Sequence, residues 1–261
     1  VPWGSLGLAI ALVWSGFLQL RILDEFKDAA SDARHRPEHP ITRGVIALPA
    51  LGLLASGLGI LQLLLVLALH PPLVGWLLAV WGYAGLMSAE FFVPRWLRAR
   101  RGVYLVSHLA IVPLLALLAS ACHWQLVGLA PPGDLGALLL LSLANGAVVE
   151  VGRKTWAPAQ ERPGVASYSA AWGIPRALGV WLVAATAALG SAAVIAGGWG
   201  PVAVLLTIGW GLLVSLALAL GRHPTALGAR RLYLGSGAWV VASYGAVGWG
   251  PWVRPLAGGG W

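Results

Sequence analysis

The chain has 261 residues, 59% of them hydrophobic and only 10% charged, with a mean hydropathy of +0.80. That composition excludes a water-soluble globule. A net charge of +8 and a pI near 10.6 would suit nucleic acid, but basic and aromatic residues are not interleaved on any soluble segment, and that partner is excluded too.

Apolar stretches long enough to cross a bilayer recur at 3–20, 45–69, 73–92, 103–122, 135–151, 174–197, 201–220 and 232–249. They predict an all-α polytopic membrane protein: a bundle of eight transmembrane helices forming one domain over 1–261. The loops alternate between charged and nearly uncharged. All but one of the 17 basic residues fall on one side of an eight-helix weave, Arg254 being the exception. Positive-inside bias therefore makes the loops around Asp28, Arg98, Arg153 and Arg230 cytoplasmic and puts Asp134 opposite. Tryptophans gather near segment ends, with Trp96, Trp156 and Trp172 on the inner side. Trp124, Trp199, Trp249 and Trp252 gather on the outer side, as interfacial anchors do. Cys122 is the sole cysteine, so no intrachain disulfide forms.

The first segment delivers the run Arg21 to Gly44, which holds five of the nine carboxylates. Asp24, Asp28 and Asp32 recur every four residues, and each such step advances about 40° round a helix. With Glu25 and Arg21 they share an arc of roughly 100°. Carboxylates so placed repel unless a cation sits among them, and oxygen ligands suit Mg²⁺. Pro37 and Pro40 stop the helix after Asp32, and Gly44 lets the chain turn back.

The run reads D-E-x-x-D-x-x-x-D, followed by R-P-E-H-P-I-T-R-G. It resembles the UbiA-type intramembrane prenyltransferase superfamily, whose helix end reads N-D-x-x-D-x-x-x-D before a loop of the form N-R-P-x-R-P-x-x-x-G. His39 stands where arginine is usual. The order of hydrophobic segments extends the resemblance over nearly the whole chain. The superfamily usually has nine helices, so either one N-terminal helix precedes this numbering or the chain is an eight-helix variant.

In the second segment Gly52, Ser56, Gly57 and Gly59 suit close helix packing in lipid. The third ends with Glu90 about one turn inside the boundary, where an ionised group is expensive and usually has a purpose. The fourth brings His108 to similar depth from the same side, and its Pro113 predicts a kink. A Glu90–His108 contact is expected, either as a structural pair or at the reacting end of a substrate. Arg95, Arg98, Arg100 and Arg101 suit lipid headgroups or diphosphate; the resemblance favours diphosphate for one or two, Arg98 among them.

The fifth segment descends to Asn145 and Glu150, then Arg153 and Lys154. Family members place a D-x-x-x-D motif here, and its paired aspartates are absent. Glu150, Arg153 and Lys154 lie within about 100° on a helix, whereas Asn145 is about 140° from Glu150. Gly173 closes the loop that follows. The last three segments carry no catalytic pattern.

The resemblance implies one cavity with a cytoplasmic mouth, lined by Asp24, Asp28 and Asp32 and by Asn145, Glu150, Arg153 and Lys154. Mg²⁺ would be held by Asp28 and Asp32, with Asp24, Glu25 and Glu150 as further metal ligands. Arg21, Lys27, Arg98, Asn145, Arg153 and Lys154 would bind the diphosphate, and Glu90 or His108 would remove the final proton. The implied substrates are a prenyl diphosphate and an unidentified acceptor, aromatic or lipid. A terpene cyclase on the same scaffold and a non-enzymatic membrane carrier are the alternative readings.

Overall fold

A computed structural model describes residues 3–198 and 200–253, apart from the side chains at 31 and 249–253. Trp199 and Arg254, and the side chains of Trp249 and Trp252, lie outside that description. Helices make up most of the described residues, with no strand among them. The chain divides into two compact units, Val1–Pro132 and Gly133–Trp261.

The first unit opens with α1 (Trp3–His35), which runs past its apolar part and carries the whole acidic stripe. It stops just before Pro37, which disfavours helical backbone in the residue ahead of it. Gly44 then adopts φ +72°, a left-handed turn open to glycine without a side-chain clash. Next come α2 (Leu48–Leu69), a 3₁₀ turn at Pro71–Leu73 and α3 (Val74–Ser88). A second short turn, Glu90–Phe92, leads into α4 (Pro94–Ala99), α5 (Arg101–Leu109) and α6 (Ile111–Trp124). The break between α5 and α6 falls at Ala110. Pro113 explains it, since its ring would clash with the carbonyl of Leu109 four residues earlier and it has no N–H to donate.

Leu12 of α1, Val66 of α2, Leu73, Leu77 of α3 and Leu115 and Leu118 of α6 form the buried centre of this unit. Gly52 and Gly59 of α2 sit against α1: a Cβ there would lie 3.2 Å from Phe26 and 3.3 Å from Gln19 respectively. Gly57 faces open space.

The second unit contains α7 (Leu135–Arg153), a 3₁₀ turn at Pro158–Gln160, α8 (Tyr168–Trp172), α9 (Ile174–Ile195), α10 (Pro201–Arg222) and α11 (Ala226–Val253). Ala177, Ala185, Ala188 and Ala192 of α9 are fully buried, the small-residue packing by which helices approach in lipid. Trp181 is fully buried, and its indole N–H donates to Val148 O and Ser236 Oγ, both at 3.0 Å. Gly152 of α7 faces this point; a Cβ there would collide with Ser236 Oγ and lie 3.0 Å from Trp181 Nε1.

Among the described residues six helices are long and apolar enough to cross a membrane: Trp3–Ala30, Leu48–Leu69, Arg101–Trp124, Leu135–Arg153, Ile174–Ile195 and Pro201–Arg222. The architecture is that of an all-α membrane protein, and apolar residues as exposed as Leu53, Val183 and Val241 suit contact with lipid. The expectation of eight spans is corrected to these six among the described residues. The third segment, read as 73–92, gives a helix of only 15 residues, because Glu90, Phe91 and Phe92 leave helical backbone with φ of +48°, +52° and +60°. The eighth, within α11, is long, but its glycines, serines, tyrosines and tryptophans dilute its apolar character.

Candidate functional site

Around the end of α1 the acidic stripe divides into two groups, and helix geometry gives the reason. Glu25 and Asp32 are seven residues apart, so they differ by only about 20° round the axis. Lys27 and Asp24 differ by about 60°, on the opposite edge of the stripe.

The Glu25 side joins the loop after α1. Glu25, Asp32 and His39 each offer one ligand atom, and those atoms lie within 4.8 Å of one another. Glu25 also pairs with Arg21, and its Oε2 is 3.7 Å from His39 Nε2. Arg36 lies 3.7 Å from Asp32. His39 Nδ1 is buried without a hydrogen-bond partner among the described residues. Asp28 is exposed and outside this group. The cluster brings together Glu25 and Asp32 and leaves out Asp28: seven residues put Glu25 and Asp32 within about 20° of each other, whereas Asp28 is about 40° from Asp32 and about 60° from Glu25.

The Lys27 side joins the third and fourth segments. Lys27 donates to Tyr104 Oη at 2.8 Å and lies 3.5 Å from His108 Nε2 and 3.9 Å from Glu90 Oε1. Asp24 and Asp28 are its further charged neighbours. Tyr104 and His108 are one turn apart on α5 and their rings stack at 3.8 Å. His108 Nδ1 is 3.0 Å from the Tyr104 carbonyl, which only accepts, so Nδ1 carries the proton and Nε2 presents its lone pair toward Lys27.

Glu90 is 4% exposed. Its left-handed turn aims it at Arg98, which grips both carboxylate oxygens in three contacts of 2.8–3.1 Å. That grip holds the Arg98 guanidinium above its ordinary pKa. Phe91 wedges the turn, packing edge-on against Tyr83 and His108 at 5.6 and 6.3 Å. Glu90 and His108 thus both approach Lys27, which lies 3.9 Å from the one and 3.5 Å from the other.

Below this cluster lies a cavity of about 510 Å³ between α1, α2, α3 and α6. Its α1 wall is Leu12, Gly16, Gln19, Leu20 and Leu23. Lys27 falls within the same arc of the helix, one turn beyond Leu23. The few polar groups along the wall are already satisfied: Gln62 donates to Ser15 at 2.7 Å and accepts from Trp81 at 2.9 Å, and Gln19 donates to Ala55 O at 3.0 Å. What remains for an occupant is apolar.

In the second unit Glu150 receives Arg153 on one oxygen at 2.6 Å and Lys154 on the other at 2.7 Å. Both oxygens predicted to hold metal are engaged by bases, because i+3 and i+4 are the neighbours of a helical residue. Asn145 is buried and donates to Ser243 Oγ at 3.0 Å, on a different face from Glu150.

Comparison with protein-family models, with curated proteins and with solved structures finds no match to this chain.

The donor set therefore has to be judged on its own chemistry. Two carboxylates with an imidazole whose second nitrogen is orphaned fit a divalent cation, with coordination positions left for phosphate or water. Sequence reasoning missed Tyr104. The signal that would have found it is its position four residues before His108, on the same helix face.

Proposed function

We propose that the chain is a divalent-cation-dependent intramembrane prenyltransferase of the UbiA-type superfamily, using a prenyl diphosphate and an acceptor, aromatic or lipid. The observation that carries this reading is the apolar cavity whose α1 wall runs into Lys27 and, around the same helix end, into Glu25 and Asp32. A long hydrocarbon tail with a diphosphate head has the matching polarity: its tail fits a cavity in the size range of ligand sites, and its head meets charge-assisted donors.

In this reading the prenyl chain lies in the cavity, which excludes water from the allylic cation formed when the C–O bond to diphosphate breaks. Lys27 is held by Tyr104, one turn beyond the α1 wall of the cavity. Glu25, Asp32 and His39 would hold Mg²⁺, which would supply positive charge to the leaving diphosphate when bound. Asp28, exposed on the same helix end, joins that end of the site with the substrate present. Arg21 and Arg98 are further phosphate donors, each now committed to a carboxylate. His108 receives the final proton at Nε2, with its tautomer fixed by the Tyr104 carbonyl. Glu90 positions Arg98 and Lys27. Arg153 and Lys154 form a second basic pair suited to phosphate. The basic loops, and with them the polar end of the cavity, are read as cytoplasmic.

The test is chemical. Purified protein in lipid is incubated with farnesyl or geranylgeranyl diphosphate, Mg²⁺ or Mn²⁺, and a membrane lipid extract as acceptor source. Diphosphate release together with a prenylated product supports the reading. Cyclic hydrocarbon formed without acceptor would make the protein a cyclase, and binding without cleavage would make it a carrier.

A further inference from the structure

Three arginines near the acidic helix end are neutralised within the fold: Arg21 by Glu25, Arg36 by Asp32, and Arg98 by Glu90. Arg95, Arg100 and Arg101 differ from these three. They have no acidic partner among the described residues, and Arg95 and Arg100 are exposed. They flank α4, and the same short stretch exposes Phe92 at 78%, Val93 at 46% and Trp96 at 48%. The left-handed turn at Glu90–Phe92 explains how both features arise. It turns Glu90 inward onto Arg98 while leaving Phe92 outside. Arg100 lies over the Trp96 ring at 4.5 Å and donates to the Trp96 carbonyl at 3.4 Å, so its guanidinium rests on an aromatic face.

Apolar rings beside unpaired arginines are a poor surface for water and a good one for the boundary between acyl chains and headgroups. Tryptophan and phenylalanine enter the apolar margin, and each nearby arginine gains from an anionic surface. Neutral headgroups would leave three unpaired cations unanswered. We propose that Phe92, Trp96, Arg95, Arg100 and Arg101 form a docking face for anionic phospholipid, distinct from the arginine that Glu90 keeps for the candidate site. This inference does not depend on the chemistry proposed above.

The experiment reads lipid retention and not activity. The full chain in detergent is titrated with phosphatidylglycerol or phosphatidylcholine and followed by native mass spectrometry. Wild type is expected to retain phosphatidylglycerol in preference. Arg95→Gln/Arg100→Gln/Arg101→Gln should weaken that retention by about tenfold or more while leaving phosphatidylcholine unchanged. The matched Lys triple variant should keep most of the preference, because surface charge is retained. Trp96→Leu should weaken both lipids. Inorganic phosphate at matched ionic strength should not displace the lipid; displacement would make this a site for a soluble anion and overturn the proposal. Wild-type retention in the Gln triple variant would overturn it too, as would an equal loss in Arg230→Gln/Arg231→Gln, which would show only general surface charge.

Discussion

Replacing Glu90 by glutamine isolates the ion pair that holds the left-handed turn. Glutamine preserves shape and one acceptor oxygen but removes the charge that Arg98 grips at 2.8–3.1 Å. The Glu90 side chain is 5% exposed and that of Arg98 is 62% exposed, so the pair is buried on one side only. The full 3–5 kcal/mol typical of breaking a buried pair is therefore too large an expectation. Arg98 can turn to solvent, whereas Lys27 loses a charge partner 3.9 Å away in a partly buried position. A loss of about 2 kcal/mol follows from the weight of charge-assisted hydrogen bonds. Three consecutive non-glycine residues at positive φ also sit in strained backbone, which persists only while the surroundings enforce it. For a chain of this size the loss corresponds to a fall in melting temperature of about 4–8 °C. Arg98→Gln should cost more, because it leaves the buried carboxylate with Lys27 alone. Thermal unfolding of both single variants and the double variant in one detergent closes a cycle, with an expected coupling of about 1–2 kcal/mol. A Glu90→Gln variant as stable as wild type, or strictly additive single effects, would refute the assignment of Glu90 as the anchor of the turn.

Glu25→Gln and Asp32→Asn are each expected to weaken Mn²⁺ binding by roughly tenfold or more, read by electron paramagnetic resonance of the free ion. Asp28→Asn should leave that resting affinity unchanged while removing turnover with prenyl diphosphate. Arg153→Ala and Lys154→Ala are each expected to lower activity about ten- to a hundredfold with folding intact; wild-type rates in both would show that this basic pair takes no part in turnover. Gly152→Ala should destabilise the second unit by about 1–3 kcal/mol through collision with Ser236. Ser236→Ala in the same chain should recover part of that loss, and calorimetry of the pair would show it.

The all-helical membrane architecture was legible because long apolar runs are a local signal that needs no knowledge of contacts. The acidic stripe was legible for the same reason, since a four-residue period survives in any helix. What was not legible depended on partners far apart in the chain. Lys27 and Tyr104 are 77 positions apart, and nothing local distinguishes that lysine from a solvated one. The early end of α3 was hidden because the left-handed turn uses Glu90, Phe91 and Phe92 without a glycine or asparagine to announce it. Glu90 stood out as an acid inside a boundary, but its partner Arg98 lies just beyond the turn that could not be foreseen. The pairing of Glu150 with Arg153 and Lys154 was readable from helical spacing, yet spacing does not reveal that both oxygens would be occupied.

The shortness of α3 has a consequence for the lipid around it. Fifteen residues rise only about 22 Å, against a hydrocarbon layer of roughly 30 Å. Alone it falls short of a span, in keeping with its absence from the six long apolar helices. A bilayer covering it from end to end would have to thin locally or draw the Glu90–Arg98 pair below the headgroups, at a cost of a fraction of a kcal/mol for each ångström. The protein should therefore be most stable in short-chain lipid and lose melting temperature steadily as acyl chains lengthen. Glu90→Gln should flatten that dependence, since it removes the charged pair that a thicker bilayer would bury.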